Sequence, residues 1–312
     1  MTIAVFHESY RPLLEARLPA HIEPRWFSSR DELYALAPQA EIGWFDGLTL
    51  PDMWGSAHVA KKIRWLNTNG AGVENFPLAQ LRELGAVMTN GAGLTGPAIA
   101  EFVVLGVLNF AKGFADIVRA HDRREWLTST PPADELTGSR ALVLGAGGIG
   151  AETGKRLAAL GVEVTYLRRN PGPGDLGPDG WRARLGEFDW VVVTVPATAE
   201  TNGMIGAAEL AAMKSSAVIL NVSRGAVIDQ DALVDALREK RIRGAFLDVT
   251  SPEPLPADHP LWGFDNCLIT MHLSGRSTTP RAPVAAERFL ENLARFERGE
   301  PLLNQVDLAA GY

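Results

Sequence analysis

Short apolar runs recur along the chain, and polar stretches of helix-forming composition separate them. In the first third, residues 3–6, 42–45, 65–67 and 87–89 read as buried strands. Brief apolar runs bounded by turn formers suit a strand covered on both faces. Residues 12–18 read as a helix, with Pro12 suited to the first turn. Farther on, residues 141–144, 162–167, 190–195, 218–221, 245–248 and 267–270 supply six more strands. Residues 151–160 show helical periodicity, and a last helix spans about 283–298. Such alternation predicts an α/β protein with parallel sheets wrapped by helices. Residues 97–113 are apolar almost all round, which predicts a helix buried inside the chain or against another subunit. Residues 128–134 are polar and Pro-rich and predict a surface connection.

Composition narrows the class without changing that picture. A chain of 312 residues suggests two domains, each with its own core. Its 46% hydrophobic and 21% charged residues are ordinary for a globular enzyme and give no sign of disorder. The net charge of −7 argues against a nucleic-acid partner. No run has the apolar length of a membrane span, and the start, Met1-Thr-Ile-Ala-Val-Phe6, reads as a first strand and not a signal peptide. The one cysteine, Cys267, excludes an internal disulfide and suits a reducing compartment, so a cytoplasmic location is expected.

The chemistry-bearing motifs fall at predicted strand ends. Ala141-Leu-Val-Leu-Gly-Ala-Gly-Gly-Ile-Gly150 is a G-x-G-x-x-G run between a strand and a helix, the context a dinucleotide requires. Gly145 permits the tight turn, Gly147 lets backbone approach a pyrophosphate, and Gly150 lets the helix pack on the strand; Gly148 and Ile149 open the helix. Asn221-Val-Ser-Arg-Gly225 follows a second strand, and Asn69-Gly-Ala-Gly-Val73 follows another. Asp229 reads as a helix cap. Trp44 and Trp65 could line a pocket, but large aromatics at strand ends are more often core. His7, His21, His58, His121 and His259 lack metal-ligand spacing, so no metal is expected.

These motifs resemble, in order, those of the D-2-hydroxyacid dehydrogenases, which include glyoxylate, hydroxypyruvate and phosphoglycerate dehydrogenases. The resemblance covers nearly the whole chain and is strongest over 136–277. It adds Val195-Pro-Ala-Thr-Ala-Glu-Thr201, Asp248-Val-Thr-Ser-Pro-Glu-Pro-Leu-Pro256, Asp258-His-Pro-Leu-Trp262 and Thr270-Met-His-Leu-Ser-Gly275 to the runs above. It implies a flavodoxin-like substrate domain (1–92 and 282–312) into which a Rossmann cofactor domain (93–281) is inserted, with the active site in the cleft. It also implies reduction of a small 2-oxo acid, of the glyoxylate or hydroxypyruvate type, to a D-2-hydroxy acid.

By the same resemblance, Arg224 holds the substrate carboxylate and carbonyl through its planar fork. His272 acts as general acid, and Glu253 pairs with it and orients it. The N–H groups of Gly70, Ala71, Gly72 and Val73 receive the carboxylate. Pro196, Val222, Ser223, Asp248, Ser274 and Gly275 line the cofactor site. The family uses the helix at 97–113 as a dimerisation arm, which implies a homodimer. Two departures affect the pocket: Met271 stands where the family usually has proline, and Thr250-Ser251 replace a commoner aromatic–acidic pair.

Cofactor choice is read at the end of the second strand of the dinucleotide unit. NAD-specific relatives carry a carboxylate there, about 20 residues past the glycines. Here Arg168 lies eighteen residues past Gly150 and Arg169 follows it, with no carboxylate at the position. Two guanidinium groups suit a 2′-phosphate, so NADP is the expected cofactor, with NAD the second choice. Two other readings fit the fold: a non-catalytic NAD(H)-sensing regulator, and a formate dehydrogenase-like enzyme. The latter group has glutamine where Glu253 stands.

Overall fold

The computed structural model describes residues 1–129, 131, 133–277 and 280–311. Thr130 and Pro132, within the connection expected at 128–134, lie outside the described residues. The chain divides into two compact units, Met1–Leu94 with Ser277–Tyr312, and Thr95–Arg276.

The first unit carries five parallel strands, β1 (Thr2–His7), β2 (Ile22–Phe27), β3 (Ile42–Trp44), β4 (Trp65–Asn67) and β5 (Val87–Thr89), in the order β2-β1-β3-β4-β5. That is the flavodoxin-like arrangement, in which the order reverses beside the first strand. The strand β2 was not legible in the sequence. Its run Ile-Glu-Pro-Arg-Trp-Phe is broken by Glu23 and Arg25 and holds Pro24, which an edge strand tolerates and a central one does not. The helix Ala282–Glu297 returns to this unit. Its Phe289 stacks on Trp44 and Trp65, with ring centroids 5.1 and 4.7 Å apart, and meets Phe6 edge-on. All four rings are buried, so both tryptophans belong to the core.

The second unit carries six parallel strands: β6 (Arg140–Leu144), β7 (Glu163–Leu167), β8 (Trp190–Val193), β9 (Val218–Asn221), β10 (Gly244–Leu247) and β11 (Cys267–Ile269). Their order is β11-β10-β9-β8-β6-β7. Beyond β7, Leu176 forms a single parallel bridge with Leu167. It stands where the third strand of a dinucleotide fold runs, so that strand is reduced here to one residue. The helix Gly96–Lys112 buries Ile99, Val103, Val107 and Ala111 against this sheet. A β-carbon on its Gly106 would lie 2.8 Å from the Phe246 ring, so glycine permits the close approach. The burial is one-sided: Leu105 remains 49% exposed, although the helix is apolar almost all round. Among the described residues no single helix is long and apolar enough to cross a membrane.

Candidate active site

In a parallel sheet the chain leaves each strand on the same edge, and the turns that follow gather there. Gly145 leaves β6, Arg168 and Arg169 leave β7, Pro196 follows β8, Val222, Ser223 and Arg224 leave β9, and Asp248 leaves β10. His272, Ser274 and Gly275 follow β11. The second unit thus brings its sequence-singled residues to one edge.

The glycine turn fits a pyrophosphate. Gly145 takes a φ of +101°, which a side chain would strain. A β-carbon on Gly150 would lie 2.0 Å from the Gly145 carbonyl oxygen, so only glycine allows the helix Gly148–Ala159 to seat so close to β6. A β-carbon on Gly147 would meet no atom within 4 Å, and Gly147 and Gly148 are exposed. The first-turn N–H groups of the helix therefore face open space, as an anion requires.

His272 and Glu253 meet: the imidazole Nδ1 lies 2.7 Å from Glu253 Oε2, with both side chains part-exposed. Glu253 Oε1 accepts from the Thr250 N–H at 3.1 Å. This occupies Nδ1 and leaves Nε2 as the nitrogen for proton transfer. The turn bearing His272 is held by Asp248, whose buried carboxylate accepts from Thr270 Oγ1 at 2.7 Å and from the N–H of Leu273 at 2.9 Å. Ser274 donates to the same carboxylate through its N–H and its hydroxyl. Asp248, placed by sequence among the cofactor-lining residues, is thus also the anchor of the histidine turn.

Arg224 is half-buried and extends β9 in strand-like conformation; its Nη1 donates to the Ser223 carbonyl at 2.8 Å. Asn221 fixes the turn, donating from Nδ2 to the Arg224 carbonyl while its Oδ1 accepts from the Ser223 N–H and hydroxyl. A β-carbon on Gly225 would lie 2.1 Å from the Thr250 carbonyl, so the arginine turn abuts the segment that carries Glu253. Gln230 holds that segment from the other side. Its Nε2 donates to the Ser251 carbonyl at 2.7 Å, and its Oε1 accepts from the Ser251 N–H at 2.9 Å. Sequence reasoning missed this role: Gln230 belongs to no motif, and in the structure it is the first residue of the helix Gln230–Arg238. Asp229 caps that helix, accepting from the Ala232 N–H.

At the end of β7 both arginines have carboxylate neighbours. Arg168 Nε lies 2.7 Å from Asp175 Oδ2, with its guanidinium over the Tyr166 ring, and Arg169 lies 3.2 Å from Glu200. The strand end itself bears no carboxylate, but the next loop returns one to Arg168. Only the tertiary return of residues 169–176 shows it.

In the first unit, the loop after β4 is pinned by its neighbours. Asp46 Oδ1 accepts from the Asn69 N–H at 3.0 Å, Asn69 Nδ2 donates to the Tyr10 hydroxyl at 2.6 Å, and Gly91 donates to the Gly70 carbonyl. Among the described residues, the N–H groups of Ala71, Gly72 and Val73 have no protein acceptor. Three successive free donors of this kind suit a carboxylate. Burial pushes the Asp46 carboxyl up to about 6, and burial with the Asp46 charge pushes the Tyr10 hydroxyl up. Burial likewise pushes the Cys267 thiol up to about 12, which keeps it an inert core residue.

Comparison with known proteins converges on one family. Residues 104–274 match the family model for the D-isomer specific 2-hydroxyacid dehydrogenase NAD binding domain. A glyoxylate reductase of Korarchaeum cryptofilum is 32% identical over 80% of this chain and 77% of its own length. A D-3-phosphoglycerate dehydrogenase of Methanocaldococcus jannaschii is 31% identical over 80% of this chain and 48% of its own. A solved D-isomer specific 2-hydroxyacid dehydrogenase from Xanthobacter autotrophicus, in complex with NADPH and MES, superposes with a TM-score of 0.81 at 28% identity. That match covers 100% of this chain and 99% of the other.

Proposed function

Because the chain belongs to the D-isomer specific 2-hydroxyacid dehydrogenase family and is an oxidoreductase of that kind, we propose that it reduces a small 2-oxo acid of the glyoxylate or hydroxypyruvate type to the D-2-hydroxy acid. The observation that carries the catalytic assignment is the 2.7 Å contact between His272 Nδ1 and Glu253. The nicotinamide, when bound, supplies the hydride. Glycines 145, 147 and 150 and the N-terminus of the helix Gly148–Ala159 would hold its pyrophosphate, with Pro196, Val222, Ser223, Asp248, Ser274 and Gly275 on the same sheet edge. As the carbonyl carbon gains hydride, its oxygen takes on negative charge. Arg224 stabilises that charge and binds the carboxylate, and His272 delivers a proton to the oxygen from Nε2. Glu253 keeps the ring aimed and offsets its positive charge. The free N–H groups of Ala71, Gly72 and Val73 are donors of the kind the substrate carboxylate accepts.

NADPH is the proposed cofactor, supported by Arg168 and Arg169 at the end of β7 and by the NADPH complex of the Xanthobacter relative. A homodimer is the proposed state, supported by the exposed apolar residues of the helix Phe114–Asp122, and a cytoplasmic location is proposed from the single free cysteine, Cys267. The test is initial rates with glyoxylate, hydroxypyruvate, pyruvate and bulkier 2-oxo acids, in wild type and His272→Ala. Loss of the proton donor should lower kcat by about 10²–10⁴-fold while cofactor still binds. An unchanged kcat where chemistry limits the rate would sink the assignment. Arg224→Lys should chiefly weaken oxo-acid binding, because an ammonium cannot reproduce the two-pronged contact.

A further inference from the structure

The carboxylate missing from the end of β7 comes back from the adjoining loop. Residues 169–175 run out and return, and Leu176 pairs with Leu167 while its side chain enters the core. Arg168 donates its N–H to the Leu176 carbonyl, and Leu176 donates to the Tyr166 carbonyl. Asp175 is therefore set by a buried neighbour and by strand-like bonds, not by a floppy loop. Its side chain is only 16% exposed, against 41% for Arg168, and 2.7 Å separates Asp175 Oδ2 from Arg168 Nε.

We propose that Asp175 is a specificity-determining residue that competes with a 2′-phosphate for Arg168 and accepts the ribose hydroxyl of a cofactor lacking that phosphate. The inference rests on the reading of Arg168 as the phosphate ligand. The end of the second strand is where a dinucleotide fold meets the adenosine ribose. A carboxylate there favours a ribose hydroxyl and opposes a phosphate, whereas a guanidinium favours the phosphate. This chain holds both groups in contact. To bind a phosphate, Arg168 has to leave Asp175, and the carboxylate then stands uncompensated beside an anion. With NADH, Arg168 stays on Asp175 and the second carboxylate oxygen serves the hydroxyl. Asp175 thus brings the two affinities closer than Arg168 alone would.

The experiment is a calorimetric titration of NADPH and of NADH into wild type, Asp175→Asn, Asp175→Ser and Arg168→Ala, reading dissociation constants and not turnover. Asparagine keeps the shape of the side chain and an acceptor for the Gly172 N–H, which lies 3.4 Å from Asp175 Oδ2. Serine serves should that variant fold poorly. Removing the charge is expected to raise the preference for NADPH over NADH by roughly fivefold, the worth of a part-exposed ion pair. Both sides should contribute, with NADPH binding tighter and NADH weaker. Arg168→Ala should lower the same preference. A flat or reduced NADPH preference in both Asp175 variants, with Arg168→Ala responding as expected, overturns the role of Asp175 and leaves the phosphate reading standing. No change in Arg168→Ala overturns the phosphate reading, and the role of Asp175 falls with it.

Discussion

The main-chain N–H of His272 donates to the carbonyl of Asp248 at 2.6 Å, while the Asp248 carboxylate binds the residues on either side of the histidine. Met271 and His272 both have left-handed backbone, with φ of 53° and 57°. Such conformations are disfavoured for residues with side chains, so the turn depends on the bonds that over-determine it. Asp248→Ala should release it and lower kcat by up to about 10²-fold, because small misplacements of a catalytic group are that costly. Steady-state rates and a melting curve check this, and a wild-type kcat would show that Asp248 does not position the imidazole.

Gln230 acts one step farther out. Gln230→Ala removes both bonds to Ser251 and should loosen the segment carrying Glu253, lowering kcat by less than the Asp248 change. Gln230→Glu keeps an acceptor but loses the donor and should fall between wild type and alanine. Ser251 is exposed, so the melting temperature should move little in either variant. A large loss of stability with unchanged kcat would contradict a positioning role.

Asp46 gives a pH signature in the first unit. Its folded-state pKa is raised by burial from 3.8 to about 6, and its Oδ2 is buried without a partner among the described residues. At low pH the carboxyl is protonated in both folded and unfolded chains and contributes nothing. As pH rises from 3.8 toward 6, the unfolded chain ionises first, so stability is lost across that window and the loss stays constant above it. The melting temperature of Asp46→Asn relative to wild type should therefore climb between those values and then level off. A difference that does not vary with pH would show that Asp46 does not titrate in this way.

Phe114, Ile117 and Val118 lie at i, i+3 and i+4 on one face of the helix Phe114–Asp122 and are each between 41% and 52% exposed. That helix departs from the preceding one at 74° and presents this face outward. Light scattering should report a particle of twice 33.7 kDa, and Ile117→Glu should shift it toward the single-chain mass. A wild-type protein that runs at the single-chain mass at micromolar concentration would refute the dimer.

Legibility in the sequence followed the range of the forces involved. Fully buried strands such as β8 and β9 announce themselves, because both faces must be apolar. The edge strand β2 does not, since only its end residues Ile22 and Phe27 are fully buried and Pro24 is tolerated there. Glu253 and His272 could be paired only through the family motifs, because they stand nineteen positions apart in the chain and nothing local links them. The supports, Gln230 on Ser251 and Asp175 on Arg168, left no mark in composition or periodicity. Each is a polar residue at the start of a helix or in a Pro/Gly-rich loop, and its meaning comes from what the fold lays beside it.

The left-handed backbone at Met271 sets a trap for protein engineering guided by family consensus. Proline is the usual residue before the histidine in this family, and a consensus design would restore it as a stabilising change. The proline ring locks φ near −65°, far from the +53° this turn adopts, so the graft would force the histidine turn into another path. Glycine or asparagine, which enter the left-handed region at small cost, are the substitutions this position can absorb. Sequence frequency and local geometry here recommend opposite mutations.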